Sequence, residues 1–327
     1  MNRKSLIVLV LFGVGLSLSA WLHHLLREPL NLHTTQWPVM GTIARVTVRG
    51  TVPNESAVLD AVRHTYEEVE SKLSAWNPNS ELCRLAASGC TNWTESAAPA
   101  MRPCYAAALQ LAQESGNAFN PYMGRILRNY GIGKGKYSDF DLGAIAKGFA
   151  VDLAATHIVA LWGQTPNERG QSLLLDLGGN LRVIGEHPWR TGVRNPFAFA
   201  DLHQPEYCTI IALTNGESVA TSGNYERFIE KDGKRLSHIL DGRTGQPTSG
   251  IAGVTVVTPS DYGAILADGL STTLFVLGPE AGCTFLAAHY PRALALWIPD
   301  TPEKPRLIAT KEMAKRLEKP SWPLETR

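Results

Sequence analysis

The sequence predicts an α+β fold, gathered into one compact unit behind an N-terminal apolar segment. Three observations carry this. Helical and alternating apolar patterns follow one another without the strict strand–helix–strand order of a parallel α/β sheet. No Pro- or Ser-rich linker divides residues 40 to 310. The chain has 327 residues, 44% hydrophobic and 19% charged, long enough and apolar enough to bury one large core.

Taken in order, "MNRK" carries two basic residues, and "SLIVLVLFGVGLSLSAWL" runs without charge from Ser5 to Leu22. Residues 1–22 therefore read as a signal anchor or a signal peptide. The apolar run is slightly shorter than the roughly 20 residues of an ordinary membrane span. Basic residues ahead of it predict a cytoplasmic N-terminus and export of everything after. Ser17, Ser19 and Ala20 offer small residues for a peptidase, without a clean A-x-A site. The first cysteine is Cys83, which excludes a lipoprotein. The expected place is therefore outside the cytoplasm, held at the membrane or released if the segment is cleaved.

Residues 23–38 read as a tether. "TIARVTVRG" alternates as a strand, and "ESAVLDAVRHTYEEVESKLSAW" has the apolar spacing of an amphipathic helix ending near "NPNS". "PCYAAALQLAQESG" is a second helix stopped by Gly116, and "AVDLAATHIVALWG" is a third, running to Gly163. "SLLLDLGGNLRVIG" reads as strand, Gly-Gly turn, strand. In "YCTIIALTNGESVATS" the Asn215-Gly216 pair predicts a hairpin. "RLSHILDGRTGQP" is a strand entering a turn, "IAGVTVVTP" a strand, and "GAILADGLSTTLFVLG" an apolar helix.

The formal charge of +1 gives no basic surface for nucleic acid. Five cysteines are an odd set for an exported chain, and none has zinc-ligand spacing. Core packing, or one bridge among Cys83, Cys90 and Cys104, are the roles left open.

Chemistry concentrates in a few stretches. "DLGAIAKGFAVD" (141–152) sets two glycines, an acid and Lys147 in one turn. It fails the Walker pattern, because Lys147 precedes Gly148, and it fails G-x-G-x-x-G for want of the middle glycine. It reads as a strand-to-helix turn whose helix end is able to face an anion, or as a tight turn without a ligand. In "ADGLSTT" Asp268 and Thr272 stand at i and i+4, so a carboxylate and a hydroxyl share one helix face. Such hard oxygen donors suit Mg²⁺ or Ca²⁺ rather than zinc. His238 in "LSHILDGRTGQP" is of the residue type that takes a proton from a hydroxyl, though a strand histidine bonded to backbone is the competing reading. "VATSGNYERF" forms a Thr-Ser-Gly turn able to present backbone N–H groups to an anion, or an ordinary loop.

In order along the chain stand "MGT" (40–42), "LSAWNPNSEL" (73–82), "DLGAIAKGFAVD", "LLLDLGGNLRVIG" (173–185), "SVATSGNYERF" (218–228), "HILDGRTGQP" (238–247) and "ADGLSTT" (267–273). This series closely resembles the ApbE family of exported flavin transferases, from Met40 to about Gly278. The resemblance implies a T-fold-like domain over residues 39–315, with 316–327 as a C-terminal tail. It implies FAD as substrate and Mg²⁺ as cofactor. FMN would pass to a threonine or serine hydroxyl of an exported or membrane-bound redox protein, the flavin-accepting subunit of an electron-transfer complex, with release of AMP. By resemblance, Asp268 and Thr272, with Ser271 beside them and the Ala144 carbonyl, match the metal site. Asp141, Lys147, Met40, Trp76 and the segment Ala118, Phe119, Asn120 match the flavin-nucleotide site. His238 matches the residue that activates the acceptor hydroxyl, so that His238 and Asp268 are the catalytic pair. A pyrophosphatase giving FMN and AMP, and a non-catalytic flavin-binding assembly factor of a respiratory complex, are the alternatives.

The sequence also departs from the family pattern. Asn120, Tyr122 and Arg125 replace expected residues in "FNPYMGRIL". Asn79, Asn195 and Asn224 stand where Asp is frequent, and Gly242 where proline is usual.

Overall fold

Strict alternation builds the first hairpin. In β1 (Leu32–Val39) and β2 (Thr42–Arg49), Trp37, Val39, Ala44, Val46 and Val48 turn into the core. The strands pair antiparallel from Leu32↔Arg49 to Val39↔Thr42. Their two-residue turn puts both Met40 (φ 52) and Gly41 (φ 67) in the left-handed region, as a type I′ hairpin requires. The computed structural model describes residues 32–52, 54–132, 137–162, 171–198, 205–225, 228–231 and 234–327. The expected anchor at 1–22 and the tether as far as residue 31 lie outside these. The rest of the expected tether, 32–38, is strand β1. Its exposed polar half hid the pattern, because only Trp37 and Val39 are buried.

Helix α1 (Glu55–Leu73) buries Val58, Val62, Tyr66, Val69 and Leu73, one face at a spacing of three and four. Short helices α2 (Glu81–Ala87), α3 (Trp93–Ser96), α4 (Arg102–Glu114) and α5 (Gly124–Asn129) follow, then the apolar α6 (Ala146–Trp162). Strands β3 (Ser172–Leu177), β4 (Asn180–Gly185), β5 (Trp189–Arg194), β6 (Tyr207–Leu213), β7 (Ser218–Gly223), β8 (Phe228–Lys231), β9 (Lys234–Ser237) and β10 (Ile251–Thr258) precede the second apolar helix, α7 (Gly263–His289). The chain closes with β11 (Leu294–Pro299), β12 (Leu307–Ala309), α8 (Lys311–Ala314), β13 (Leu317–Glu318) and β14 (Leu324–Thr326). Gly278 (φ 72) with Pro279 kinks α7 where the sequence ended the helix.

Nine strands form one sheet in the order β1-β2-β3-β4-β7-β10-β11-β12-β14, antiparallel except for β12 against β14. Period-two alternation sends its two faces into separate cores. Leu173, Leu175, Val254, Val256 and Trp297 meet Val62, Tyr66, Ile158, Leu270 and Leu274 of the helices. On the other face Val183, Val257, Leu296 and Ile298 meet Val193, Ile211 and Leu213 of the small sheet β13-β6-β5. The result is three layers, helices over large sheet over small sheet, and the α+β expectation holds.

One expectation is corrected. Asn215-Gly216 is a turn, but β6 and β7 do not pair: they belong to different sheets. The turn docks instead on β4, with Gly216 N–H donating to Val183 O at 2.8 Å and Gly185 N–H to Asn215 Oδ1 at 3.0 Å. Residues 316–327, read as a C-terminal tail, pair into both sheets. β13 pairs with β6, β14 with β12, and Trp322 packs 5.8 Å from Phe197 between ring centroids. Strands of two and three residues are too short to show alternation. Of the two roles left open for the cysteines the structure has packing: all five are free thiols, with Cys83, Cys104 and Cys208 buried.

Candidate functional site

The stretch before α6 is a set of nested turns, and no strand leads into it over the described residues 137–140. Asp141 Oδ1 accepts from Gly143 N–H at 2.9 Å, and Leu142 O accepts from both Ile145 and Ala146 N–H. The helix then runs against α7 at Gly148. A Cβ there would overlap the Ala264 carbonyl and Asp268 Cβ, so only glycine allows the contact.

That contact diverts a hydrogen bond. An α-helix would spend Gly148 N–H on the carbonyl four residues back, Ala144. Here Gly148 N–H donates to Asp268 Oδ2 at 3.0 Å, and the Ala144 carbonyl accepts no hydrogen bond among the described residues. Asp268 is 5% exposed. Lys147 Nζ lies 3.5 Å from the same Oδ2 and donates to Gly143 O at 3.1 Å. Asp268 Oδ1 receives no hydrogen bond among the described residues. A buried carboxylate oxygen and the carbonyl four residues before Gly148 are thus left as unspent acceptors.

Hydroxyls extend the group. Ser271 Oγ donates to the Asp268 carbonyl at 2.8 Å, and Ser222 Oγ on β7 lies 2.7 Å from Ser271 Oγ and 3.3 Å from Thr272 Oγ1. Among the described residues there is no cluster of three or more His, Cys, Asp or Glu. Any cation here would draw on one carboxylate, a carbonyl and a hydroxyl, a donor set of the Mg²⁺ type. One turn further along α6, at the start of α7, Asp152 accepts from Ala264 and Ile265 N–H, both at 2.8 Å, and pairs with Arg182. Burial holds the Asp152 carboxyl above the usual range despite Arg182.

A second group gathers around His238. This residue is half-buried, directly after β9, in a loop closed by the Leu240↔Pro247 bridge and by Thr248 on Ile239 O. Leu240 packs with Met123, Ile126 and Leu127. Gly242 N–H donates to Ala118 O at 3.2 Å, and Asn120 Nδ2 donates to Gly242 O at 3.0 Å while its Oδ1 accepts from Tyr122 N–H at 2.8 Å. The loop is therefore clasped to the 117–122 segment. Asp141 N–H in turn donates to Pro121 O at 2.7 Å and joins that segment to the turn before α6.

Of the residues read above as departures from the family pattern, all but Asn79 have a physical account in this structure. Proline at 242 would lose the bond to Ala118, and even a Cβ would overlap Asn117 O and Asn120 Cβ. Asn120, Asn195 and Asn224 donate from their amides to Gly242 O, Pro205 O and Ile251 O, which a carboxylate cannot do. Arg125 forms two bonds to Asp139, and Tyr122 packs edge-on against Phe140.

The structure thus brings together Asp141, Ala144, Lys147, Asp268, Ser271 and Thr272, and it joins Ala118 and Asn120 to the loop of His238. Phe119 is buried in the main core. Met40 stands in the β1–β2 turn and Trp76, 53% exposed, in the loop after α1, with its N–H on Ser74 Oγ. Sequence reasoning missed Gly148 and the Ser222 hydroxyl. A glycine inside an otherwise good helical run was the available signal for the first. Nothing local marked the second.

The sequence profile described as the ApbE family matches residues 40–139 and 134–297. An FAD:protein FMN transferase of Treponema pallidum (strain Nichols) is 31% identical over 320 residues, covering 80% of this chain and 82% of that protein. Proteins of the same name from Rhodobacter capsulatus and Klebsiella pneumoniae (strain 342) are 39% and 40% identical over 54% and 45% of this chain. The matches span 31% and 42% of those two proteins' own lengths. The apo flavinyl transferase ApbE of Pseudomonas stutzeri superposes with a TM-score of 0.68 at 24% identity, over 89% of this chain and 98% of that one. The ApbE protein of Thermotoga maritima gives 0.71 at 24% identity, over 88% and 99%. At these identities the superpositions establish a shared fold.

Proposed function

The chain belongs to the ApbE family, and from that premise we propose that it is a Mg²⁺-dependent FAD:protein FMN transferase. FAD is its substrate, and a threonine or serine hydroxyl on an exported or membrane-bound redox protein is the acceptor. That protein is read as the flavin-accepting subunit of a membrane electron-transfer complex. The acceptor oxygen attacks the phosphorus on the FMN side of the pyrophosphate, the bridging P–O bond breaks, and AMP leaves. The hydroxyl proton passes to a base, the role read for His238, a contribution of about 10²–10⁴-fold.

One observation supports the metal reading above the others: Gly148 N–H is spent on Asp268 Oδ2, so the Ala144 carbonyl and Asp268 Oδ1 both stay unspent. Two hard oxygens left over at a buried helix contact, beside the Thr272 hydroxyl, fit Mg²⁺ by number and chemistry. When bound there, Mg²⁺ neutralises pyrophosphate charge and stabilises the departing phosphate oxygens. The chain's own residues do the rest. Lys147 supplies a cation beside Asp268, and the Asp141 turn fixes where α6 begins. The clasp at Asn120 and Gly242 holds the His238 loop against the segment that carries Asp141. Keeping water out of such a site separates transfer from hydrolysis.

The apolar N-terminal segment is read as an anchor that holds the domain at the periplasmic face of the inner membrane, or as a signal that releases it there. The near-neutral charge supports no nucleic-acid role. The test is mass spectrometry of candidate acceptor domains incubated with the full chain, FAD and Mg²⁺. The expected result is an FMN adduct on an acceptor threonine or serine that disappears with Asp268→Ala. AMP without adduct on any acceptor would replace transfer by hydrolysis, and bound FAD with neither product would leave a flavin-binding factor.

A further inference from the structure

A hydroxyl carries one proton, so a chain of hydroxyls ending on a carbonyl has only one direction. Ser271 Oγ lies 2.8 Å from the Asp268 carbonyl, which only accepts, and the Ser271 proton is committed there. Ser222 Oγ is 2.7 Å from Ser271 Oγ and must donate to it. With the Ser222 proton spent, the 3.3 Å contact to Thr272 Oγ1 has to be a donation from Thr272. The order is Thr272 to Ser222 to Ser271 to the Asp268 carbonyl.

A helical threonine ordinarily turns its proton back to the carbonyl four residues earlier. Thr273 does so, bonding Gly269 O at 2.8 Å. Thr272 does not: its own back-bonding partner is Asp268 O, the carbonyl that Ser271 occupies. Ser222 is placed to take the displaced proton because β7 is an interior strand, with Ser222 in register with Val254 of β10.

We infer that Ser222 is a positioning residue for the metal site. It draws the Thr272 proton toward the sheet, so that the Thr272 lone pairs are turned to the cation as a neutral, ready-oriented ligand. This rests on the metal reading proposed above. Outer partners that orient a ligating group are typically worth about 10–100-fold in metal affinity. Without Ser222, the Thr272 proton is free to turn toward the cation, and Ser271 loses its donor.

The experiment titrates Mn²⁺ into the full chain with FAD present and reads free Mn²⁺ by electron paramagnetic resonance. Ser222→Ala is expected to weaken Mn²⁺ by about 10–100-fold, and Ser222→Thr, which keeps the hydroxyl, to bind within about threefold of the unaltered chain. If Ser222→Ala does not fold, Ser222→Cys, a weak donor of similar size, takes its place with the same expected loss. Unchanged affinity in Ser222→Ala, alongside loss in Asp268→Ala, would overturn the inference and leave the metal reading standing. Equal loss in Ser222→Ala and Ser222→Thr would also overturn it, since the hydroxyl would not be the cause. Unchanged affinity in Asp268→Ala would bring down the metal reading itself.

Discussion

The Asp268 group and the His238 loop meet the same stretch of chain, residues 117–145, but different forces hold them. Around Asp268 the positions are set by backbone: a helix contact only glycine permits, a diverted N–H, and a hydroxyl chain anchored in an interior strand. Around His238 they are set by individual ties, an asparagine amide, a glycine N–H and two arginine–aspartate pairs. The first region is stiff because packing is not continuously adjustable. The second depends on bonds worth about 0.5–1.5 kcal/mol each, which different side chains are able to replace. Asn120, Tyr122, Arg125 and Gly242 lie among these ties, and Asp268 and Thr272 lie in the packed region.

The comparison is broken most directly at Asp268. Asp268→Ala removes the carboxylate that holds both Gly148 and the proposed cation, and transfer should fall by at least about 10²–10³-fold. The acceptor adduct measured by mass spectrometry, with thermal melting as control, checks this. A variant retaining more than a tenth of its activity would move the chemistry elsewhere.

Gly148→Ala probes the same region by volume instead of charge. The added methyl overlaps backbone that cannot swing away, so the fold should lose about 1–3 kcal/mol. Denaturant unfolding is the measurement. A loss under about 0.5 kcal/mol would show that the two helices separate easily and that the stiffness argued for this region is absent.

The loop should respond less, and in a coupled way. Asn120→Asp replaces a donor by an acceptor facing the Gly242 carbonyl and should cost about 1–3 kcal/mol of loop docking. Gly242→Pro should add less on top of it than alone, because both break one clasp. A double-mutant cycle on transfer rate and on protease resistance of residues 236–248 reads the coupling. Additive effects would mean that the two residues act separately.

Legibility in the sequence follows the same division. Asp268 and Thr272 were visible as an i, i+4 pair, because helical periodicity places side chains reliably. The long helices and β2 were visible for the same reason, and β3, β4 and β10 as short apolar runs bounded by turn residues. What stayed hidden needs contacts between distant segments. Ser222 meets Thr272 across 50 positions, and Asn120 meets Gly242 across 122. The Asn215-Gly216 turn was legible as a turn, yet which strands it joined was decided by docking on β4. The free cysteines and the closing strands β13 and β14 are likewise tertiary outcomes that no local pattern encodes.

The smallest expected effect is the response to acid, and it has opposite signs in the two regions. Hydrogen bonds from Arg125 hold the Asp139 carboxyl below its ordinary range, and Arg243 does the same for Asp241. A carboxyl lowered in the fold stabilises it above the ordinary value of about 3.9, and that stabilisation is lost as pH falls below it. Asp152, which accepts from Ala264 and Ile265 N–H at the start of α7, is raised by burial. Its ionised form costs the fold, so this contribution improves as pH falls through the window just above the ordinary value. Acidification from pH 6 to about 3 should therefore loosen residues 117–130 and 236–248 before residues 263–277. Hydrogen exchange at each pH, corrected for intrinsic rates, resolves the three segments. Moderate salt should loosen the first two further, because the Arg125–Asp139 pair is exposed to it. Simultaneous loosening of all three would mean that the loop and the helix pair form one cooperative unit, and the contrast between packed and tied regions would have no consequence for how the site opens.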